Sequence, residues 1–377
     1  MSNDPRPVPR ARRFGCLFTL FLIASIGLNL LLFGALVFPN PFSSSVEEED
    51  SPTEKHLYGK KRERDKIAVI RAEGALVEGL DGFILKQIEA AAKDDHVKAV
   101  VLRIDSPGGT IGASEDIHRE LTRLVSGAHP RHPEHKPKKL MASMGSIAAS
   151  GGYYIAMPAE KVFVEKNTIT GSIGVYASFP NVSEFADKYG VKMELIKAGG
   201  IKGSGSPFHE MTPAERQPWQ DMVDQAYTQF LDVVVKGRPQ LTAAQLRDEI
   251  VSKKTVAKRD HKGNIINGPD GKPLMIEVTR VRADGGTYTA AEAQRVGLVD
   301  AVGLLEDVVT AVASSAGVSE YRVVTYERPP SLLNTLLGIR TATPGFDAKS
   351  LSAGLTPRLW YMAPGAELGG IIAVSGK

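Results

Sequence analysis

Residues 14–38 carry no charged side chain, and only Thr19, Ser25 and Asn29 break the apolar run. Such a stretch is confined to a bilayer or a deep core. At 1.5 Å rise per residue, a helix of this length crosses a hydrocarbon layer of about 30 Å. Arg6, Arg10, Arg12 and Arg13 precede it against Asp4, and Glu47, Glu48, Glu49 and Asp50 follow. The basic flank predicts a cytoplasmic N-terminus, residues 1–13, with residues 39–377 outside the cell membrane. A cleaved signal peptide has a shorter apolar core, about 7–15 residues, and a small-residue cleavage site. Here the run is longer, and Pro39, Asn40, Pro41 and Phe42 form a poor cleavage context. The expectation is one uncleaved transmembrane signal anchor in the inner membrane, with lipid contact through residues 14–38.

The rest of the 377 residues suffices for one large or two ordinary domains. Charged residues make up 24% and the net charge is +3, a balance that argues against nucleic-acid binding. The one cysteine, Cys16, excludes an internal disulfide framework. No Cys/His zinc spacing appears, and no cofactor is implied. Residues 39–65 are rich in proline and serine, then acidic, then of mixed charge. They read as a solvated tether.

Beyond the tether, short apolar runs alternate with helical periodicity. Ile67 to Ile70 reads as a strand, and Phe83, Ile84, Ile88 and Ala91 recur at helical spacing. Val97 to Ile104 is a second strand, and Ile117, Leu121 and Leu124 share one helical face. Leu140 to Met144, Lys161 to Val164 and the alternating Val191 to Ile196 read as strands. Thr212 and Glu215 form a capping box with Pro213 at the first helical position, opening a helix to about Val235. Its expected inner residues are Met222, Ala226, Phe230 and Val233. Thr242 and Thr289 cap two more helices, Gly297 ends the second, residues 303–316 read as helix and 321–326 as a last strand. This alternation implies an α/β core with a largely parallel sheet over residues 66–326.

Three segments stand apart from that pattern. Residues 126–139 form a polar, proline-rich loop with His129, His132 and His135 at three-residue spacing. In an extended polyproline-like chain they share a face, which suits weak metal binding, although the intervening prolines and lysines fit an exposed loop better. Residues 254–280 read as an inserted hairpin, with turn signals at Lys262-Gly263 and Asp270-Gly271. Residues 327–377 form a C-terminal extension whose apolar residues, Trp360 and Tyr361 among them, either dock or stay mobile.

Chemistry concentrates where the run ending at Met144 passes through small residues to Ser150, Gly151, Gly152, Tyr153 and Tyr154. A serine on a strand-to-helix turn offers its hydroxyl beside helix N-terminal N–H groups, a setting suited to developing negative charge. Acyl transfer needs a nucleophile next to such a donor. No His and Asp pairing stands out as its base. A lysine kept neutral by burial is the alternative, and Lys202, among glycines and serines, is the candidate. Ser172 or Ser204 would orient its amine. Gly108 and Gly109 would add oxyanion donors to Gly151. Each feature also has a plain reading: a tight turn, an exposed lysine, a turn after a strand.

Four motifs in this order resemble the signal peptide peptidase A family of membrane-bound Ser/Lys proteases. They are Asp105 to Gly109, Ala148 to Tyr154, Thr170 to Val175 and Lys202 to Phe208. Ala283 to Ala290 and Gly297 to Asp300 add to the resemblance. It implies a Clp protease/crotonase-like superhelical core of ββα units, preceded by one transmembrane helix. It also implies Ser150 as nucleophile, Lys202 as general base, Ser172 orienting the lysine, and Gly151 with Gly108 or Gly109 as oxyanion donors. Remnant signal peptides as substrates and a homo-oligomer on the membrane follow from the same resemblance. Gly200 and Gly203 depart from the family's pattern around the lysine, where a basic and an acidic residue are common. Two other readings share these residues: a catalytically inactive membrane scaffold, and a crotonase-like acyl-CoA enzyme, which the expected topology opposes.

Overall fold

A computed structural model of the chain describes residues 22, 25–27, 51–79, 81–329 and 359–363. The expected membrane anchor lies almost wholly outside the described residues, where only 22 and 25–27 are seen, in helix. Among the described residues no helix is long and apolar enough to cross a membrane.

The core is a mixed α/β layer around a mostly parallel sheet. Its main path runs β1 (Thr53–Gly59), β13 (Arg322–Glu327), β2 (Lys66–Glu73), β3 (Val97–Ser106), β5 (Lys139–Ala149), β6 (Lys161–Val164) and β12 (Ala301–Val302). All neighbours along it are parallel except β1 and β13. Strand β2 shows why these residues pair this way. Ala68, Ile70 and Ala72 join the core on one face, and Ile67 and Val69 join a second core on the other. A strand buried on both sides must be apolar throughout, which is the mark of a parallel sheet covered by helices. Helices α1 (Gly82–Lys93) and α2 (Ile111–Ser126) cover the first face through Ile84, Ile88, Ile117 and Leu121. Helix α8 (Leu305–Ser315) covers the second with Val308, Val309 and Val312.

Three expectations change. The tether does not run to residue 65: β1 pairs with β13, and Lys66 Nζ joins Glu54 at 2.6 Å and Asp94 at 2.7 Å. The charges read as solubilising therefore clamp an edge strand. Residues 191–197 form no strand, and Val191, Met193, Leu195 and Ile196 are exposed. Their alternation is real, but no strand among the described residues pairs with them, and a strand exists only in a ladder. In the long helix α5 (Pro213–Gly237) the inner face is Ala226, Phe230, Leu231 and Val234. Met222 is exposed and Val233 half-buried. The inserted hairpin is present as β9 (Ile250–Ala257) with β10 (Met275–Val281), starting four residues earlier than its turns suggested.

Candidate active site

Strand β5 continues beyond its pairing with β6, and its last residues pair with β7 (Ile169–Gly171) in the same sheet. It delivers Ser150 to the first turn of α3 (Gly151–Tyr154). Asp105 helps hold the strand's end in place, accepting from the N–H groups of Ser146 at 3.4 Å and Ile147 at 3.2 Å. Ser150 N donates to Gly171 O at 2.7 Å, and Ser150 O accepts from Tyr154 N at 2.9 Å. The residue is fully buried with φ 55° and ψ −113°. Among the described residues its Oγ has no hydrogen-bond partner. A buried hydroxyl without a partner, on a backbone angle that side chains avoid, costs stability twice.

Ser172, with φ 53°, is the other non-glycine residue at positive φ among the described residues. It follows Gly171, whose carbonyl holds Ser150. Its N donates to Gly286 O at 2.9 Å and its Oγ to Gly285 O at 3.1 Å. The glycine-rich stretch before β11 (Thr287–Thr289) thus fixes Ser172, while β11 itself pairs with β7. Asp284 shapes that turn by accepting from Gly286 N at 2.9 Å and from Arg280 Nε at 2.8 Å. Partial desolvation pushes the Asp284 carboxyl up, but the Arg280 guanidinium and Gly286 N–H outweigh it and hold it below the ordinary carboxylate range. Asp300 has a structural part, accepting from Val162 N and Arg238.

The two glycines after Pro107 separate in role. Gly108 N donates to Ser106 Oγ at 3.1 Å, so that donor is taken. Gly108 has φ +101°, and a Cβ there would lie 2.7 Å from Gly151 N and 2.1 Å from Tyr361 O. Gly109 lies opposite Tyr361 in an antiparallel pairing of β4 (Gly108–Thr110) with β14 (Leu359–Met362). Ala363 N donates to Pro107 O at 2.8 Å. Two residues along each strand, the ladder places the Gly109 N–H against the Tyr361 carbonyl. A Cβ on Gly151 would lie 3.1 Å from both Gly109 N and Tyr361 O. The carbonyl of Tyr361 therefore sits among the backbone of Gly108, Gly109 and Gly151, beside Ser150.

Sequence reasoning missed that arrangement. Strand β14 lies between β4 and β8 (Tyr176–Ala177), so part of the C-terminal extension occupies the cleft next to the serine. The Tyr361 side chain is buried, stacks on Tyr154 with centroids 5.2 Å apart, meets Phe230 at 4.7 Å and donates to Ala226 O. Its signal was the Trp360 and Tyr361 pair in an otherwise proline- and glycine-rich tail. A cavity of about 410 Å3 adjoins this point, lined by Ser172, Tyr176, Tyr227, Gly285 and Met362 among others.

Lys202 is not brought to Ser150. It is exposed, on a run of turns whose fixed points lie elsewhere. Ser204 Oγ donates to Glu215 O at 3.0 Å and accepts from Trp219 Nε1 at 2.6 Å, so it serves the start of α5 and not a lysine amine. Lys197 Nζ reaches Glu215 at 3.3 Å, and His209 Nε2 lies 3.0 Å from Gly203 O.

A mostly parallel α/β layer presents a strained, buried serine beside converging backbone donors, an arrangement that suits hydrolase chemistry. The comparisons make the class narrower: this is a serine-type peptidase. Residues 132–258 match Peptidase family S49. A Synechocystis protein provisionally named a protease is 32% identical over 277 residues, covering 73% of this chain and 84% of that protein. Serine protease SPPA, chloroplastic, of Arabidopsis thaliana is 30% identical over 300 residues, covering 75% of this chain and 38% of its own length. Protease 4 of Haemophilus influenzae is 35% identical over 189 residues, 48% of this chain and 29% of that one. The chain thus spans well under half of the last two relatives. It belongs to peptidase family S49, the signal peptide peptidase A family.

Proposed function

We propose that the protein is a membrane-anchored endopeptidase in which Ser150 is the nucleophile and Lys202 the general base. Its substrates, on this reading, are remnant signal peptides and other membrane-associated peptides. The observation that carries it is the carbonyl of Tyr361, lying in an extended strand against Gly109 and Gly151 beside the free hydroxyl of Ser150. A substrate strand added along β4 in the same way would present its scissile carbonyl there, with main-chain pairing supplying affinity. The repeated strand–helix units are read as the Clp protease/crotonase-like superhelix of the same proposal.

The chemistry follows from the groups. Neutral Lys202 Nζ takes the Ser150 proton as Oγ bonds to the peptide carbon. The oxyanion accepts from Gly109 N and Gly151 N, while Gly108 N stays with Ser106. The C–N bond breaks, the ammonium of Lys202 protonates the departing amine, and water then hydrolyses the Ser150 ester. Ser172, next to the residue that holds Ser150, orients the lysine once it arrives. Lys202 is supplied by a neighbouring copy in a homo-oligomer. That reading is supported by its exposure and by the exposed Phe185, Tyr189, Ile196 and Ile201 on the same stretch of chain. The anchor at residues 14–38 holds the assembly on the outer face of the inner membrane.

That no base among the described residues bonds to Ser150 also favours a second reading, an inactive scaffold. A serine-reactive fluorophosphonate and a quenched apolar peptide separate the two. Labelling at Ser150 with turnover abolished in Ser150→Ala and Lys202→Ala supports the dyad. Full activity in either variant removes it, and no labelling of the full-length protein in detergent or bilayer favours the scaffold.

A further inference from the structure

The loop between α2 and β5 carries a cluster that peptide hydrolysis does not use. Its backbone makes two successive turns: His132 N donates to His129 O and His135 N to His132 O, both at 3.1 Å. Three residues per turn place residues i, i+3 and i+6 on one side of the chain. The shared histidine face thus arises from these tight turns and not from an extended polyproline path. The rings stand together, with centroids of His129 and His132 4.8 Å apart and those of His132 and His135 4.9 Å apart and stacked.

We propose that His132, Glu134 and His135 bind one divalent transition-metal ion of the zinc type. One ligand atom from each residue lies within 4.8 Å of the others. His132 Nδ1 is 3.2 Å from Glu134 Oε1, and His135 Nε2 is 4.0 Å from the same oxygen. Ligands about 2.1 Å from a tetrahedral ion stand about 3.4 Å apart, so small side-chain rotations suffice. Imidazole and carboxylate suit zinc and its neighbours in the transition series.

A second observation points to a ligand. The His135 side chain is 7% exposed, and its Nε2 is buried without a hydrogen-bond partner among the described residues. A buried imidazole nitrogen left unpaired is costly, and an ion on that nitrogen removes the cost. The other acids facing the loop are already matched: Glu120 with Arg123 and Glu89 with Lys93. Among the described residues Glu134 pairs with no lysine or arginine, leaving its carboxylate for the ion. His129 lies beside the set. Its Nδ1 accepts from Arg131 N at 3.3 Å and its Nε2 faces Glu120 at 3.5 Å, so it borders the site without joining it.

The test titrates Zn2+ calorimetrically into the full-length protein in detergent after chelator treatment. Binding of one ion per chain at micromolar or lower concentration is expected, with a rise in melting temperature. His132→Ala and His135→Ala each weaken it at least tenfold, and Glu134→Gln, which alters little else, weakens it several-fold. Co2+ in place of Zn2+ should give the visible absorption of a four-coordinate site, lost in the His132→Ala/His135→Ala double variant. Absence of binding in the low micromolar range, or binding unchanged in the double variant while its circular dichroism is native, overturns the proposal.

Discussion

Ser150 and Ser172 hold backbone angles that glycine takes freely and other residues resist, φ 55° and 53°. Strain kept at a buried, unpaired hydroxyl is expected where function and not folding chose the residue. Ser150→Gly should therefore be more stable than Ser150→Ala by about 1–2 kcal/mol, although both are inactive, because only glycine relaxes the turn. Urea melts of the two variants decide it, and equal midpoints would mean that the turn carries no strain. A second prediction belongs to Asp284. Its folded carboxyl titrates below the ordinary range because Arg280 and Gly286 outweigh desolvation. A depressed carboxylate contributes stability that is complete above the ordinary carboxylate value and is lost as pH falls through the folded value. Stability measured from pH 5 down to pH 3 should thus fall less steeply in Asp284→Asn than in the wild type. Parallel slopes would exclude Asp284 as a source of the acid sensitivity. The asparagine variant should also loosen Ser172, which hangs on the Gly285 and Gly286 carbonyls.

At the level of elements, β14 is the piece whose placement most bears on turnover. It pairs with β4 and β8 where a peptide would lie, and Tyr361 fills an apolar slot beside Tyr154 and Phe230. A synthetic peptide spanning residues 355–367 should inhibit the full-length enzyme competitively. A chain ending at residue 358 should bind that peptide more tightly and show a several-fold lower KM for an added substrate. Unchanged KM with no inhibition would take β14 out of the substrate's path. Much of this framework was legible from local signals. Helix caps at Thr212, Thr242 and Thr289 sit where the sequence put them, since a cap is decided by residues three apart. The strands of the parallel core were equally plain, being apolar on both faces. What stayed hidden depends on distant partners. The charged segment forming β1 needs β13, more than two hundred residues away in sequence, and Lys66, twelve residues from Glu54. Likewise, only the fold reveals that Ser106 takes the Gly108 N–H and leaves that of Gly109. The pairing of Ser150 with Lys202 was suggested by motif order, yet the lysine stands on the surface of the single chain.

That exposed lysine poses its question for the whole molecule. Phe185 and Tyr189 are each 64% exposed and Ile196 is 91% exposed, all on the segment leading to Lys202. Side chains of this size on one stretch mark a surface that a partner covers. On the proposed reading that partner is a copy of the same chain, whose Ser150 would gain a base from this surface. If each active site joins Ser150 of one copy to Lys202 of the next, Ser150→Ala and Lys202→Ala chains should complement. Co-assembled in equal amounts, they place an intact serine beside an intact lysine at about a quarter of the contacts in a closed ring, since each chain is chosen independently. Turnover should recover to about that share of wild type, although neither variant is active alone. Ile196→Asp should shift the protein to smaller species and remove activity with Ser150 and Lys202 both present. Recovery that never rises above the two separate variants, from mixed assemblies verified by differential tags, would return the lysine to its own chain. The loop from 198 to 210 would then have to fold inward onto Ser172, giving up its hold on the first turn of α5, and Trp219 fluorescence would report that motion when substrate binds.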